Sequence, residues 1–187
     1  QYAPGLPADN RTRLSEFRVA LMLGDDVSPV DTEYLDALTD FAGKLEAAGA
    51  TVVHNKLPLI NSEAHFTLYL KLLGAALSFG MSDEDAAAAL KPFKDAPEDV
   101  RRVGGNRMSG LNISHREWLN LDNQRRIARL AFDAFFEDYD VILAPVCAGA
   151  AFVKDEVGSR QFRRIEVNGA AQLEPLQLFW SGYSGVV

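Results

Sequence analysis

The sequence holds a single cysteine, Cys147, so no internal disulfide can close. It has no uninterrupted apolar run of membrane-spanning length, which excludes a membrane-crossing helix as an organising element. Cations are scarce: 19 Lys and Arg stand against 26 Asp and Glu, for a net charge of −7. Phosphate binding needs clustered cations to displace counterions. The pairs Arg101-Arg102, Arg125-Arg126 and Arg163-Arg164 each lie among acids, so solvated surface and no nucleic-acid partner are expected. The three histidines, His54, His65 and His115, show no ligand spacing with one another or with Cys147, and neither metal nor cofactor is expected. No signal peptide opens the chain, which starts at Gln1 instead of Met. These absences point to a reducing cytoplasm and to a piece excised or processed from something longer.

What is present suits a core. With 187 residues, 48% hydrophobic and 24% charged, the chain is long enough and apolar enough for one globular domain. Residues 1–16 read as an extended N-terminal segment and 17–187 as a single α/β domain with a parallel or mixed sheet and flanking helices. The run Phe17 to Leu23 predicts a buried strand, followed by a loop from Gly24 to Pro29. Asp31 is placed to cap a helix whose Tyr34, Leu38, Phe41, Leu45 and Ala48 share a face, and Gly49 to end it. Ala50 to His54 is the next strand, so 17–54 forms a βαβ unit with parallel strands. A helical cover follows at about 61–111. Pro97 to Asn112, with Gly104-Gly105 and little periodicity, predicts a short helix and a loop. Ser114-His115-Arg116-Glu117 matches a capping box for a long helix to about Phe136, with Trp118, Leu121, Ile127, Leu130 and Phe135 as its apolar face. Asp140 to Ala144 is the third strand, 149–169 is loop-like, and a last helix is expected from Glu174 to Trp180.

Several chemistries can be weighed against these placements. Gly24-Asp25-Asp26 is similar to the acidic pair that holds Mg²⁺ in receiver domains, but the third strand ends in Ala144-Pro145 where a phospho-accepting aspartate is needed. Asp25 and Asp26 are therefore read as solvated loop acids. Gly24 alone does not make a dinucleotide turn, which needs several glycines so that the backbone can approach a pyrophosphate. The stretch Ser181-Gly182-Tyr183-Ser184-Gly185-Val186 has Val where a nucleophile elbow needs Gly, and reads as a flexible turn. Cys147 could act as a nucleophile only with a base brought to it by folding, and a small, partly buried thiol is the plainer reading.

The order of features resembles the later part of the amidase signature family of serine hydrolases. The resemblance rests on Phe17-Arg18-Val19-Ala20, on Leu45 to Val52, on Pro58, and on the Ser114 helix with Trp118 and Arg125-Arg126. It rests further on Phe136-Glu137-Asp138-Tyr139-Asp140-Val141-Ile142-Leu143-Ala144-Pro145 and on Ile165 to Gly169 ahead of Trp180. Such a resemblance implies an amide hydrolase that works through an acyl-enzyme, with a Ser nucleophile, a bridging Ser in a cis peptide, a Lys base and a backbone oxyanion hole. This sequence has no adjacent Ser-Ser pair, and Lys44, Lys56, Lys71, Lys91, Lys94 and Lys154 lack such a partner. No catalytic residue is assigned, and the catalytic segment is expected upstream. Pro145, Val146, Phe152 and Trp180 are the expected wall of a substrate pocket, with ordinary core packing as the alternative for both aromatics. The implied partners are a small amide or ester substrate and the remaining segments of a parent chain, with no membrane and with a homodimer conceivable. The other open function is a non-catalytic α/β binding or structural domain.

Overall fold

An apolar run, a polar loop and an amphipathic stretch build a parallel βαβ unit in the computed structural model, which describes residues 10–187. Residues 1–9 of the expected N-terminal segment lie outside the described residues, and Leu14–Glu16 forms a short 3₁₀ turn. Strand β1 (Arg18–Leu21) lies at the centre of a three-stranded sheet of order β2-β1-β3, flanked by β2 (Thr51–His54) and β3 (Val141–Leu143), both parallel to it. Val19, Ala20 and Leu21 are all buried, as befits a central parallel strand covered on both faces.

Between β1 and β2, helix α1 (Thr32–Ala47) ends at Gly49, whose amide and that of Ala50 bond back to Glu46 and Leu45. Its inward face is shifted from the one expected. Ala42 is buried while Phe41 is 49% exposed, because the helix rotates to lay Tyr34, Leu35 and Leu38 toward the body. Asp31 occupies the N-cap position but its carboxylate makes no cap bond.

The cover is helical throughout. It holds α2 (Ser62–Leu77), α3 (Asp83–Leu90), and a nearly continuous run through α4 (Glu98–Val100), a π turn (Arg101–Gly105), α5 (Asn106–Ser109) and a 3₁₀ turn (Gly110–Asn112). The loop expected within 97–112 is absent because α2 and this run pack backbone to backbone. A Cβ on Gly74 would overlap the Arg107 carbonyl, and one on Gly110 would overlap that of Lys71.

Helix α6 (His115–Asp138) starts at Ser114, whose Oγ accepts from the Glu117 amide at 3.2 Å. The Glu117 carboxylate lies 3.8 Å from Lys71 Nζ, so only the serine half of the expected box forms. The buried stripe of α6 is Leu121, Asp122 and Phe132, whereas Trp118, Ile127 and Leu130 face outward. Asp122 tolerates burial because Arg125 and Arg126 hold its two oxygens at 2.7 and 3.1 Å and depress its pKa.

Two further corrections concern the C-terminal part. At the end of the expected loop and just beyond it, β4 (Arg164–Val167) and β5 (Ala170–Leu173) form an antiparallel hairpin around Asn168-Gly169, whose φ values of 52° and 75° match a type I′ turn. The stretch read as a flexible turn is helical: a 3₁₀ turn (Glu174–Gln177) leads into α7 (Leu178–Gly185). Apolar pressure explains this, since Phe179, Trp180 and Tyr183 are all buried in the main core with Met22, Phe66 and Phe132. Phe179 meets Phe66 and Trp180 edge-on at centroid distances of 5.7 and 5.0 Å.

Candidate functional site

Parallel strands expose their carboxyl ends to ligands, and here the exit of β3 opens onto a cavity of about 760 Å³. Ile142, Ala144, Pro145 and Val146 form one wall, Arg129, Phe132, Asp133 and Phe136 of α6 a second, and Trp180, Ser181, Tyr183 and Ser184 of α7 a third. The cavity runs along the outer edge of β3, where Val141 is 41% exposed and among the described residues no further strand pairs.

Of the four pocket residues expected from sequence, Pro145, Val146 and Trp180 come together here. Phe152 does not line the cavity; it sits half exposed on an irregular segment beyond Gly149. Trp180 also belongs to the core, so lining and packing coincide in one side chain. Phe132, Phe136 and Tyr183 were not anticipated as lining residues. The i, i+4 spacing of Phe132 and Phe136 could have found the first two.

The exit segment Ala144–Gly149 has no ladder, so two side chains and one backbone amide from elsewhere take up some of its backbone groups. The Val146 amide donates to Tyr34 Oη at 3.4 Å and the Ala148 amide to Gln177 Oε1 at 3.3 Å. The Ala148 carbonyl accepts from the Asp31 amide at 2.7 Å. Cys147 Sγ donates to the Gly149 carbonyl at 2.9 Å, consistent with a partly buried thiol.

Beneath the cavity lies a set of buried polar groups. His65 Nε2 is 2.9 Å from the Tyr183 carbonyl, and since a carbonyl only accepts, Nε2 carries the proton and Nδ1 is left bare and buried. Burial pushes the His65 pKa below its ordinary value, partly offset by that hydrogen bond. The Tyr183 hydroxyl is buried without a partner, and burial, helped by the Asp25 carboxylate, raises its pKa. Asp25 itself accepts from the Val27 amide at 2.9 Å and from Ser62 Oγ at 2.6 Å, which ties the exit of β1 to the start of α2. Among the described residues no group of three or more His, Cys, Asp and Glu is arranged to hold a metal ion.

Chemically the cavity is a receptacle. Ser181 Oγ donates to the Leu178 carbonyl at 3.2 Å, and no Lys, His or Cys lines the walls to activate it or Ser184. Among the described residues no helix is long and apolar enough to cross a membrane.

Comparison with known proteins places these features. A family model described as Amidase matches residues 2–169. Among solved structures, a bacterial aryl acylamidase belonging to the amidase signature enzymes is similar at 17% identity with a TM-score of 0.58. The match covers 90% of this chain and 35% of that one, so the chain spans about a third of that enzyme's length. No curated protein matches.

Proposed function

Because the chain belongs to the amidase family, we propose that it is the scaffold and substrate-pocket portion of an amide hydrolase that cleaves carboxylic C–N bonds through a serine acyl-enzyme. In this reading the nucleophile, bridging serine and lysine base stand on chain outside these 187 residues. The observation that carries it is the cavity at the β3 exit, whose walls are mainly apolar and aromatic and carry two serines, but neither the lysine base nor the paired serines that such an acyl-enzyme requires. Pro145, Val146 and Trp180 form the substrate-facing wall. Phe152 joins it only if residues 150–158 fold over Val146.

The remaining partners are other segments of the parent. Support comes from the unpaired outer edges of β2 and β3 among the described residues, since an all-parallel sheet is ordinarily enclosed. Ile127 and Leu130, 61% and 66% exposed, offer further apolar surface for such segments. The same surface favours a second reading, an α/β binding or structural domain that closes its open face as a homodimer. Sedimentation separates the two: a defined symmetric dimer supports the second, and polydisperse association supports the first.

The direct test is hydrolysis of an activated acyl anilide and an activated ester by the purified chain, followed by labelling with a fluorophosphonate. Absence of turnover and label is the expected result. Stoichiometric labelling of one serine within residues 1–187 would overturn the proposal.

A further inference from the structure

The hairpin turn at Asn168 is joined to the start of α1 by four hydrogen bonds. The Asn168 amide donates to Asp31 Oδ1 at 2.6 Å, and Asn168 Nδ2 donates to the Val30 carbonyl at 2.9 Å. Asn168 Oδ1 accepts from the Thr32 amide at 2.8 Å and from Thr32 Oγ1 at 3.0 Å. The first free amide of α1 is thus capped from 136 residues away, and the carboxylate of Asp31 is released from capping and held by the turn. Asp31 in turn fixes the exit of β3. Its amide holds the Ala148 carbonyl, and its carboxylate abuts Gly149 so closely that a Cβ there would collide with Oδ2.

We propose that Asp31 and Asn168 are a positioning pair for the pocket, setting where the Pro145-Val146 wall stands relative to Trp180. The inference rests on the substrate-pocket reading of the cavity. Neither residue lines the cavity, so both act through others. The route is short. Asp31 holds Ala148, the Ala148 amide bonds Gln177, and Gln177 immediately precedes the helix that carries Trp180. Val146 stands 72% exposed at the mouth, so a shift of this segment reshapes the cavity before it disturbs the core.

Asn168→Gly isolates the effect. Glycine keeps the positive φ and the backbone bond to Asp31, and removes only the Asn side-chain bonds. Asp31→Asn is the conservative control, because its amide oxygen can still accept from the Asn168 amide. Both substitutions are made in the enzyme that contains this chain, also with Trp118→Phe so that Trp180 is the fluorophore followed within this chain.

With Asn168→Gly, KM for an anilide with a bulky aromatic acyl group should rise about 10-fold, a change of about 1.4 kcal/mol. Both constants for the acetyl anilide should stay within about 2-fold, and acrylamide should quench Trp180 more strongly. Asp31→Asn should behave as the parent does. A parallel loss of kcat for both anilides, or unchanged quenching of Trp180, overturns the positioning role. Stronger quenching with no acyl-dependent change in KM shows that the wall moved without touching substrate, which overturns the pocket reading instead.

Discussion

Replacing Asp140 with alanine should destabilise the chain by about 2–3 kcal/mol at pH 7. The carboxylate accepts from the Arg18 amide at 2.8 Å, meets Arg18 Nε at 3.3 Å and pairs with Arg11 at 2.7 Å, so it joins the first residue of β1 to the residue just ahead of β3. Its side chain is only 14% exposed, and a backbone bond to such a carboxylate contributes about 1.5–2 kcal/mol. The two guanidinium groups are 46% and 35% exposed and add roughly 0.5 kcal/mol each after solvent screening. In a chain of this size the sum corresponds to a fall in Tm of about 5–10 °C. Asp140→Asn, which keeps a backbone acceptor but loses the charge, should cost roughly half as much.

The sign of the pH dependence follows from the same contacts. The arginine and backbone bonds hold the Asp140 carboxyl well below the usual carboxylate range in the folded chain, whereas unfolded it titrates near ~3.9. Its contribution is therefore complete above about pH 5 and shrinks as the pH falls toward the folded value, by about 1 kcal/mol at pH 3. Urea unfolding followed by circular dichroism at pH 7 and pH 3 measures this. If Asp140→Ala lies equally far below the parent at both pH values, the ionised carboxylate is not the source of the stabilisation.

Other consequences are separately testable. Because burial lowers the His65 pKa, unfolding takes up a proton there: stability should fall as pH drops below about 6.5 and level off beneath the folded value. His65→Gln should flatten urea midpoints between pH 5 and 8, and an unchanged slope would assign the dependence to another group. Gly74→Ala should cost about 1–3 kcal/mol by pressing a Cβ into the Arg107 carbonyl, read as a lower Tm by calorimetry. Phe179→Ala, at a site 1% exposed, should cost about 3–5 kcal/mol. Trp180→Phe should cost under about 2 kcal/mol and, under the proposed function, change acyl preference in the enzyme that contains this chain, whereas a stability loss with unaltered preference would leave Trp180 as core only.

The βαβ unit was legible because each of its signals is local: a continuous apolar run for β1, Gly49 after an amphipathic helix, and Thr51-Val52-Val53 for β2. The junction at Asp140 to Pro145 was legible for the same reason. Where faces were misassigned, tertiary packing chose among similar options. In α6, Leu121 and Phe132 are turned inward while Ile127 and Leu130, equally apolar, are left outside. The hairpin was readable from Asn168-Gly169 and from the alternation of Arg164-Ile165-Glu166-Val167, and was missed because both strands are only four residues long and Ala170–Leu173 carries little alternation. Of the pocket residues, Pro145 and Val146 could be placed by their position after a strand. The ties of Asp31 to Asn168 span 137 residues and have no local signature.

The two ends of the sheet are built differently, and the difference bears on function. At the amino ends of β1 and β3, backbone ladder, Asp140, Arg18 and Arg11 are locked by charge, and the Glu137 carbonyl at the end of α6 accepts from Arg18 Nη1 at 3.2 Å. At the carboxyl end of β3 the ladder stops, and the exit is held by single neutral bonds from Tyr34, Gln177 and the Asp31 amide. Each such bond contributes about 0.5–1.5 kcal/mol, so one substitution can displace the wall without unfolding the sheet. A scaffold arranged this way can vary Val146 and its supports while Asp140 keeps the strands in register. Substitutions at the amino end should therefore register in Tm, and those at the exit, under the proposed amide-hydrolase function, in the choice of acyl group.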